Sequence, residues 1–114
     1  MRRWQSTTPT EAQFKSAIVQ YAEANGWKVI SAPDGKHMQR IPVSMRGWPD
    51  LHLMMARTVN GVIYMEQKYR ELKVGKNART DEQVSWGNWL TEAGCDYGVW
   101  RDSTPWCEIE GELR

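Results

Sequence analysis

The dipeptide Asn60-Gly61 separates two apolar runs, Leu51 to Ala56 and Val62 to Met65. Asn-Gly accepts the positive φ angles of a two-residue turn whose twist suits antiparallel strands. The pattern therefore predicts a hairpin with strands over 51–56 and 62–68. Gly47-Trp48-Pro49-Asp50 leads into the first strand, and the second runs straight into Glu66-Gln67-Lys68. Residues i and i+2 of a strand share a face, so Glu66 and Lys68 point one way and Gln67 the other. If the strand carrying Asp50 pairs beside them, two carboxylates and one ammonium converge. Two carboxylates can hold a divalent ion through oxygen ligands. Such an ion polarises a phosphoryl oxygen and makes hydroxide available near neutral pH, with the lysine orienting water or offsetting phosphate charge. Each piece also has a plain structural reading. Asp50 after Pro49 suits a turn, and Glu66 with Lys68 suits a charge pair on a solvent face.

The flanking segments read as alternating helices and strands. Thr8-Pro9-Thr10-Glu11 opens a helix, with Thr8 as cap, Pro9 in the first turn and Glu11 closing a capping box. Phe14, Ala17, Ile18, Tyr21 and Ala22 form its apolar stripe, and Asn25-Gly26 ends it. A short strand is predicted over 27–32, then a turn at Pro33-Asp34-Gly35. Residues 36–48 show no sustained period and read as an irregular basic loop, with a brief extended piece at 40–43. Residues 73–79 read as a mobile Gly- and Lys-rich connection. Thr80-Asp81-Glu82-Gln83 is a second capping signal. Trp86, Trp89, Leu90 and Ala93 make the next apolar stripe, followed by a strand over 97–101. A short helix starts at Thr104-Pro105-Trp106 and buries Ile109 and Leu113. The order is helix, three strands, helix, strand, helix: an α/β sandwich with a small mixed sheet.

Composition sets limits. At 114 residues, 40% hydrophobic and 25% charged, the chain reads as one domain, 1–114. Net charge is only +1, yet Lys36, Arg40 and Arg46 lie together, as do Lys68, Arg70, Lys73, Lys76 and Arg79. A basic face is therefore compatible with a near-neutral chain. Lys36, Arg40 and Arg46 are candidate phosphate contacts. Cys95 and Cys107 make neither a zinc motif nor a disulfide framework, so a reducing cytoplasm is expected. No apolar run approaches a membrane span, and Arg2-Arg3 is not followed by a signal-peptide core. His37 and His52 are the two histidines; His52 alternates with Leu51 and Leu53, which turns it to the site side or to a subunit surface, and neither is read as a metal ligand. Seven tryptophans are many for this length. Some of them, Trp86, Trp89 or Trp106 among the candidates, are expected in a twofold contact between copies.

Pro49-Asp50 and Glu66-x-Lys68 on an αβββαβ order resemble the PD-(D/E)xK nuclease superfamily, and within it the virus-type replication-repair nuclease (VRR-NUC) domain in its small stand-alone phage form. Glu11, Gly26-Trp27, Thr80-x-x-Gln83 and Ala93-Gly94 carry the likeness across nearly the whole chain. The resemblance implies a restriction-endonuclease-like fold and DNA cleavage with Mg2+ or Mn2+. It implies Asp50 and Glu66 as metal-binding acids, with Glu11 completing the site and a main-chain carbonyl near Gln67 as a further ligand. Lys68 would be the catalytic lysine, and Gln83 a helix glutamine beside the site and its DNA. It also implies a homodimer acting on branched DNA such as four-way junctions, in a bacterial host cytoplasm if phage-encoded. A DNA-junction binding protein without cleavage is the alternative. Glu71-Leu72-Lys73 is a second acid-x-lysine at a fitting distance from Thr80. Glu66-x-Lys68 is preferred because an apolar run leads into it, whereas Gln67-Lys68-Tyr69-Arg70 before Glu71 makes a poor buried strand.

Overall fold

The structure is a computed structural model, and it describes residues 8–31 and 45–114. Helix α1 spans Glu11–Ala24, strand β1 Lys28–Ser31, β2 Leu51–Val59 and β3 Val62–Lys73. Helix α2 (Asp81–Glu92), strand β4 (Asp96–Arg101) and helix α3 (Trp106–Glu112) follow. The expected element order is the observed one. The four strands form one mixed sheet in the order β1-β2-β3-β4. β1–β2 and β2–β3 are antiparallel, and β3–β4 is parallel. Asn60 and Gly61 take φ of 51° and 78°, so the hairpin turn forms where the dipeptide predicts it. Among the described residues, no helix is long and apolar enough to cross a membrane.

The start of α1 is shifted from its sequence expectation. Thr10, not Thr8, is the cap, and its capping-box partner is Gln13 rather than Glu11. The same Thr-x-x-acceptor pattern occurs two residues later, and the helix uses that frame. Glu11 becomes the first helical residue, and its carboxylate is released from capping.

The register sorts the sheet into two faces. Leu51 and Leu53 stand opposite Arg70 and Lys68, and Leu72 stands opposite Trp100. This face meets α1 and α3, and with Phe14, Ile18, Ala22, Trp27, Ile109 and Leu113 it forms the core. Each of the buried Leu, Ile and Phe side chains contributes about 1.5–3 kcal/mol by leaving water. Trp27 Nε1 donates to the Leu113 carbonyl at 2.8 Å, which ties the chain's last turn to this core. The other face carries Tyr69, Glu71, Lys73 and Tyr97 and meets α2.

β3 runs five residues past its expected end at 68. The polar stretch 67–70 stays in the sheet because its charges are neutralised on the core face. Lys68 Nζ lies 2.9 Å from Asp96, and Arg70 Nη2 lies 2.8 Å from Asp96 and 2.7 Å from Glu112. The Arg70 guanidinium also lies over the Trp100 ring at 5.1 Å, and Lys68 Nζ over Trp27 at 5.9 Å. The connection after β3, expected to be mobile, is tied at both ends. Gly75 N donates to Asp102, and Arg101 Nη1 donates to the Asn77 carbonyl. In α2 the expected apolar stripe is only partly buried: Leu90 is inside, whereas Trp89 is 58% exposed.

Gly47 connects this scaffold to the site. Its φ is +87°, and a Cβ there would fall 2.5 Å from the Glu82 carbonyl carbon, at the start of α2. Gly47→Ala must strain the backbone or displace that helix end. We expect a loss of about 2–4 kcal/mol in chemical denaturation. A loss below about 0.5 kcal/mol would mean that the contact is easily relaxed.

Candidate active site

Pro49 is buried and ends the approach to β2, leaving Asp50 one residue before the strand. Leu51 pairs with Arg70, so Asp50 comes level with Glu71. The Asp50 carboxylate accepts a hydrogen bond from Leu72 N at 2.7 Å, which clips it to β3 beside Glu71. Glu71 is fully buried, and its Oε2 accepts from Gln83 Nε2 at 3.0 Å. The same Gln83 side chain accepts from Thr80 N at 2.9 Å through Oε1, closing the α2 capping box. Its cap role and its site role are therefore compatible, one through each end of the amide. α2 thus begins where it can hold Glu71.

The electrostatics mark these acids as a coupled pair. Burial pushes the Glu71 carboxyl up to about 8, and the neighbouring Asp50 charge pushes the same way. Asp50 is also raised, by burial, against the opposing Leu72 hydrogen bond and the Lys73 charge. Glu71 Oε1 is buried and has no hydrogen-bond partner among the described residues. Glu11, on the solvent side, is raised by partial burial and by Asp50, and is countered by Lys73 and Lys15. Lys73 is buried and shares the face of Glu71. Arg79 and Tyr97 border the pair, with Arg79 Nη1 donating to the Tyr97 hydroxyl at 3.3 Å.

The structure brings Asp50, Glu11 and Gln83 together as expected, but it does not bring Glu66 and Lys68 to them. Glu66 stands opposite Met55, five residues from Asp50's level on β3, and projects from the opposite face of the sheet. Its carboxylate pairs with Arg57 at 2.9 Å and with Lys68 at 3.4 Å, and the Arg57 bond holds its pKa below the ordinary range. Lys68 is committed to Asp96. Burial pushes the Asp96 carboxyl up, but the hydrogen bonds and charges of Lys68 and Arg70 outweigh it and leave the pKa low. These are the properties of a structural ion-pair network. Gln67 is exposed, with Oε1 on His52 Nε2 at 2.8 Å, so neither its side chain nor its peptide is next to Asp50 and Glu71. Glu71 and Lys73 occupy the place expected of Glu66 and Lys68.

Arg46 is exposed at the approach to the site, and its carbonyl accepts from Trp86 Nε1 at 3.0 Å. Lys36, Arg40, His37 and the extended piece expected at 40–43 lie outside the described residues. An aromatic row flanks the acids: Trp89, Trp86, Trp48 and Tyr69 pack edge to face, and His52 stacks on Tyr69 at 4.4 Å. Each of Trp48, Tyr69 and Trp86 lies two or three residues from Asp50, Glu71 or Gln83, and this packing fixes their three elements to one another.

No protein-family model matches the sequence, and no curated protein does. A solved structure described as a VRR_NUC domain protein superposes with a TM-score of 0.65 over 94% of this chain and 89% of that one, at 17% identity. The chain has the VRR-NUC fold. It is a mixed four-stranded sheet with helices on both faces. Within the VRR-NUC fold of this chain, the acid level with Asp50 is Glu71.

Among the described residues, no three His, Cys, Asp or Glu side chains stand in metal-holding geometry together. The donor set nevertheless fits a hard divalent cation. Two adjacent carboxylates repel each other when both are ionised. Half-buried Asp50 and buried Glu71 offer several oxygen donors, one of them without a hydrogen-bond partner among the described residues.

Proposed function

We propose that the protein is a metal-dependent DNA endonuclease whose site is Asp50, Glu71 and Lys73, with Glu11 at its rim. The observation that carries this reading is the fully buried Glu71 beside the half-buried Asp50, with Glu71 Oε1 unpartnered among the described residues. Asp50 and Glu71 would hold Mg2+ or Mn2+, and the Leu72 carbonyl takes the place proposed from sequence for that of Gln67. When bound, such an ion offsets phosphate charge and makes hydroxide available near neutral pH. Lys73, on the same face, orients the attacking water and stabilises negative charge on the phosphate. Gln83 fixes the Glu71 carboxylate. Glu11, free of capping, adds negative charge from the rim.

A junction-binding protein without cleavage accounts less well for the site. Two adjacent carboxylates, one of them fully buried, repel a phosphate backbone and cost folding energy, so a pure binder gains nothing from them. Branched DNA, including four-way junctions, is the proposed substrate. Support for it comes from the likeness of Glu11, Asp50 and Thr80-x-x-Gln83 to the small phage-type nucleases. The test is incubation with labelled linear, flap and four-way-junction DNA, with Mn2+ or with a chelator. Nicking that requires the metal and favours branched substrates is expected. Salt-dependent binding with no cleavage would favour the junction binder.

Arg46 is proposed as a phosphate contact at the mouth of this site. Arg46→Ala should weaken DNA binding across sequences and reduce the salt slope by about one unit. An unchanged slope would leave Arg46 as a solvated side chain.

A further inference from the structure

Arg79 is a half-buried cation at the site without an acid of its own. It ends the connection after β3, next to Thr80, the cap of α2. Lys68, Arg70 and Arg57, on the other face of the sheet, each reach a carboxylate within 2.9 Å. Among the described residues Arg79 forms no ion pair. Its Nη1 donates to the Tyr97 hydroxyl at 3.3 Å. A guanidinium carries its N–H donors in a planar fork, and one long bond to a neutral phenol uses little of it. Withdrawing such a cation partly from water is costly unless an anion compensates it.

Two features hold the fork at the acids. Thr80 N donates to Gln83 Oε1, and Gln83 Nε2 donates to Glu71, so two hydrogen bonds link the neighbour of Arg79 to the buried acid. The Arg79 charge also acts on Glu71 directly. Tyr97 stands level with Tyr69 on β3, on the face that carries Glu71. Its ring is fixed by α2. A Cβ on Gly87 would lie 2.5 Å from Cε2 of Tyr97 and 2.8 Å from its hydroxyl oxygen. The absent side chain at Gly87 lets the phenol lie against the helix backbone and present its hydroxyl to Arg79.

We infer that Arg79 binds the phosphate on which Asp50 and Glu71 act, with Tyr97 as its positioning residue. The inference rests on the nuclease reading of that site and adds to it the group that admits the substrate. Adjacent carboxylates repel a phosphodiester, so a cation aimed at the incoming phosphate lowers the cost of its approach. A planar fork meets two phosphate oxygens at once, which an ammonium does not. Donors fixed before the reaction stabilise charge on those oxygens without having to reorganise. If Arg79 served only to offset Glu71, the two side chains would pair, and they do not.

The test uses the full chain and a labelled four-way junction. Arg79→Ala, Arg79→Lys and Tyr97→Phe are each first shown to keep the wild-type melting transition. Binding is read in a chelator across a salt series, and single-turnover cleavage in Mn2+. Arg79→Ala should lower the salt slope by about one unit and slow cleavage by about 100-fold. Arg79→Lys should keep the slope, because the charge remains, and slow cleavage by about 10-fold, because the fork is lost. Tyr97→Phe should keep the slope and slow cleavage by roughly a few-fold. Guanidinium chloride should restore part of the cleavage lost in Arg79→Ala, against an equal concentration of sodium chloride, and none of that lost in Lys73→Ala. An arginine with a purely structural role would show no such rescue. Cleavage at the wild-type rate in Arg79→Ala overturns the inference, whatever its slope. So does slow cleavage with an unchanged slope and no rescue. Tyr97→Phe at the wild-type rate removes Tyr97 as the positioning residue. A wild-type chain that binds the junction and never cuts it defeats the nuclease reading, and the salt slope alone then decides Arg79.

Discussion

Raising the pH from about 5 to about 8.5 without divalent ions is expected to lower the melting temperature, and Glu71→Gln to flatten that dependence. The ordinary carboxyl value of 4.5 is raised to about 8 in the folded protein. Between these values the folded state keeps a proton that the unfolded chain has released. Stability from this group is therefore complete below about 4.5 and is lost as pH rises through about 8, amounting to about 4–5 kcal/mol at most. Asp50 and Glu11 are raised too and act in the same direction. Glu66 and Asp96 are lowered, so their contribution is lost only on acidification, outside this window. A fall on the order of 10 °C across the window is expected by calorimetry. Glutamine keeps the acceptor for Gln83 Nε2 and has no charge to bury beside Asp50, so the variant should be the more stable protein at the alkaline end. Mn2+ should raise the wild-type melting temperature there and leave Glu71→Gln nearly unmoved. A wild-type melting temperature that is flat or rising with pH would contradict the buried-acid description.

Lys73→Ala and Lys68→Ala should fail in different ways. Lys73→Ala is expected to lower turnover by about 100-fold or more with the metal-induced rise in melting temperature retained. Lys68→Ala removes a buried partner of Asp96 and Glu66, both of which remain partly hydrated. It should cost about 1–3 kcal/mol of stability while the folded fraction keeps its activity. Single-turnover cleavage, normalised to folded protein, separates the two. Full activity in Lys73→Ala would remove that lysine from the site.

The local signals in the sequence specified most of the scaffold. Asn60-Gly61 placed the hairpin, Thr80-x-x-Gln83 placed the start of α2, and the Phe14, Ile18, Ala22 spacing placed the buried side of α1. Asp50, Glu11 and Gln83 entered as candidate site residues through the family resemblance, because their turn and cap signals are satisfied by a purely structural reading. The structure sets Asp50 and Gln83 on either side of Glu71. The choice between Glu66-x-Lys68 and Glu71-x-Lys73 was not legible from local pattern. It depends on how far β3 continues, and that depends on Asp96 and Glu112, distant in sequence, which neutralise Lys68 and Arg70. A stretch that is too polar for a buried strand by its own composition becomes one through tertiary ion pairs. The informative clue was the spacing from Glu71 to Thr80 and Gln83. In the structure that spacing becomes a 3.0 Å hydrogen bond from Gln83 to Glu71.

The central claim is that the catalytic acid paired with Asp50 is Glu71. The most direct test is metal-dependent cleavage of a four-way junction by Glu71→Gln and Glu66→Gln side by side, each shown to be folded. The expected result is loss of at least about 1,000-fold in Glu71→Gln, because a hard cation loses a charged ligand. Glu66→Gln should stay within a few-fold of wild type. Activity retained in Glu71→Gln and abolished in Glu66→Gln would contradict the assignment.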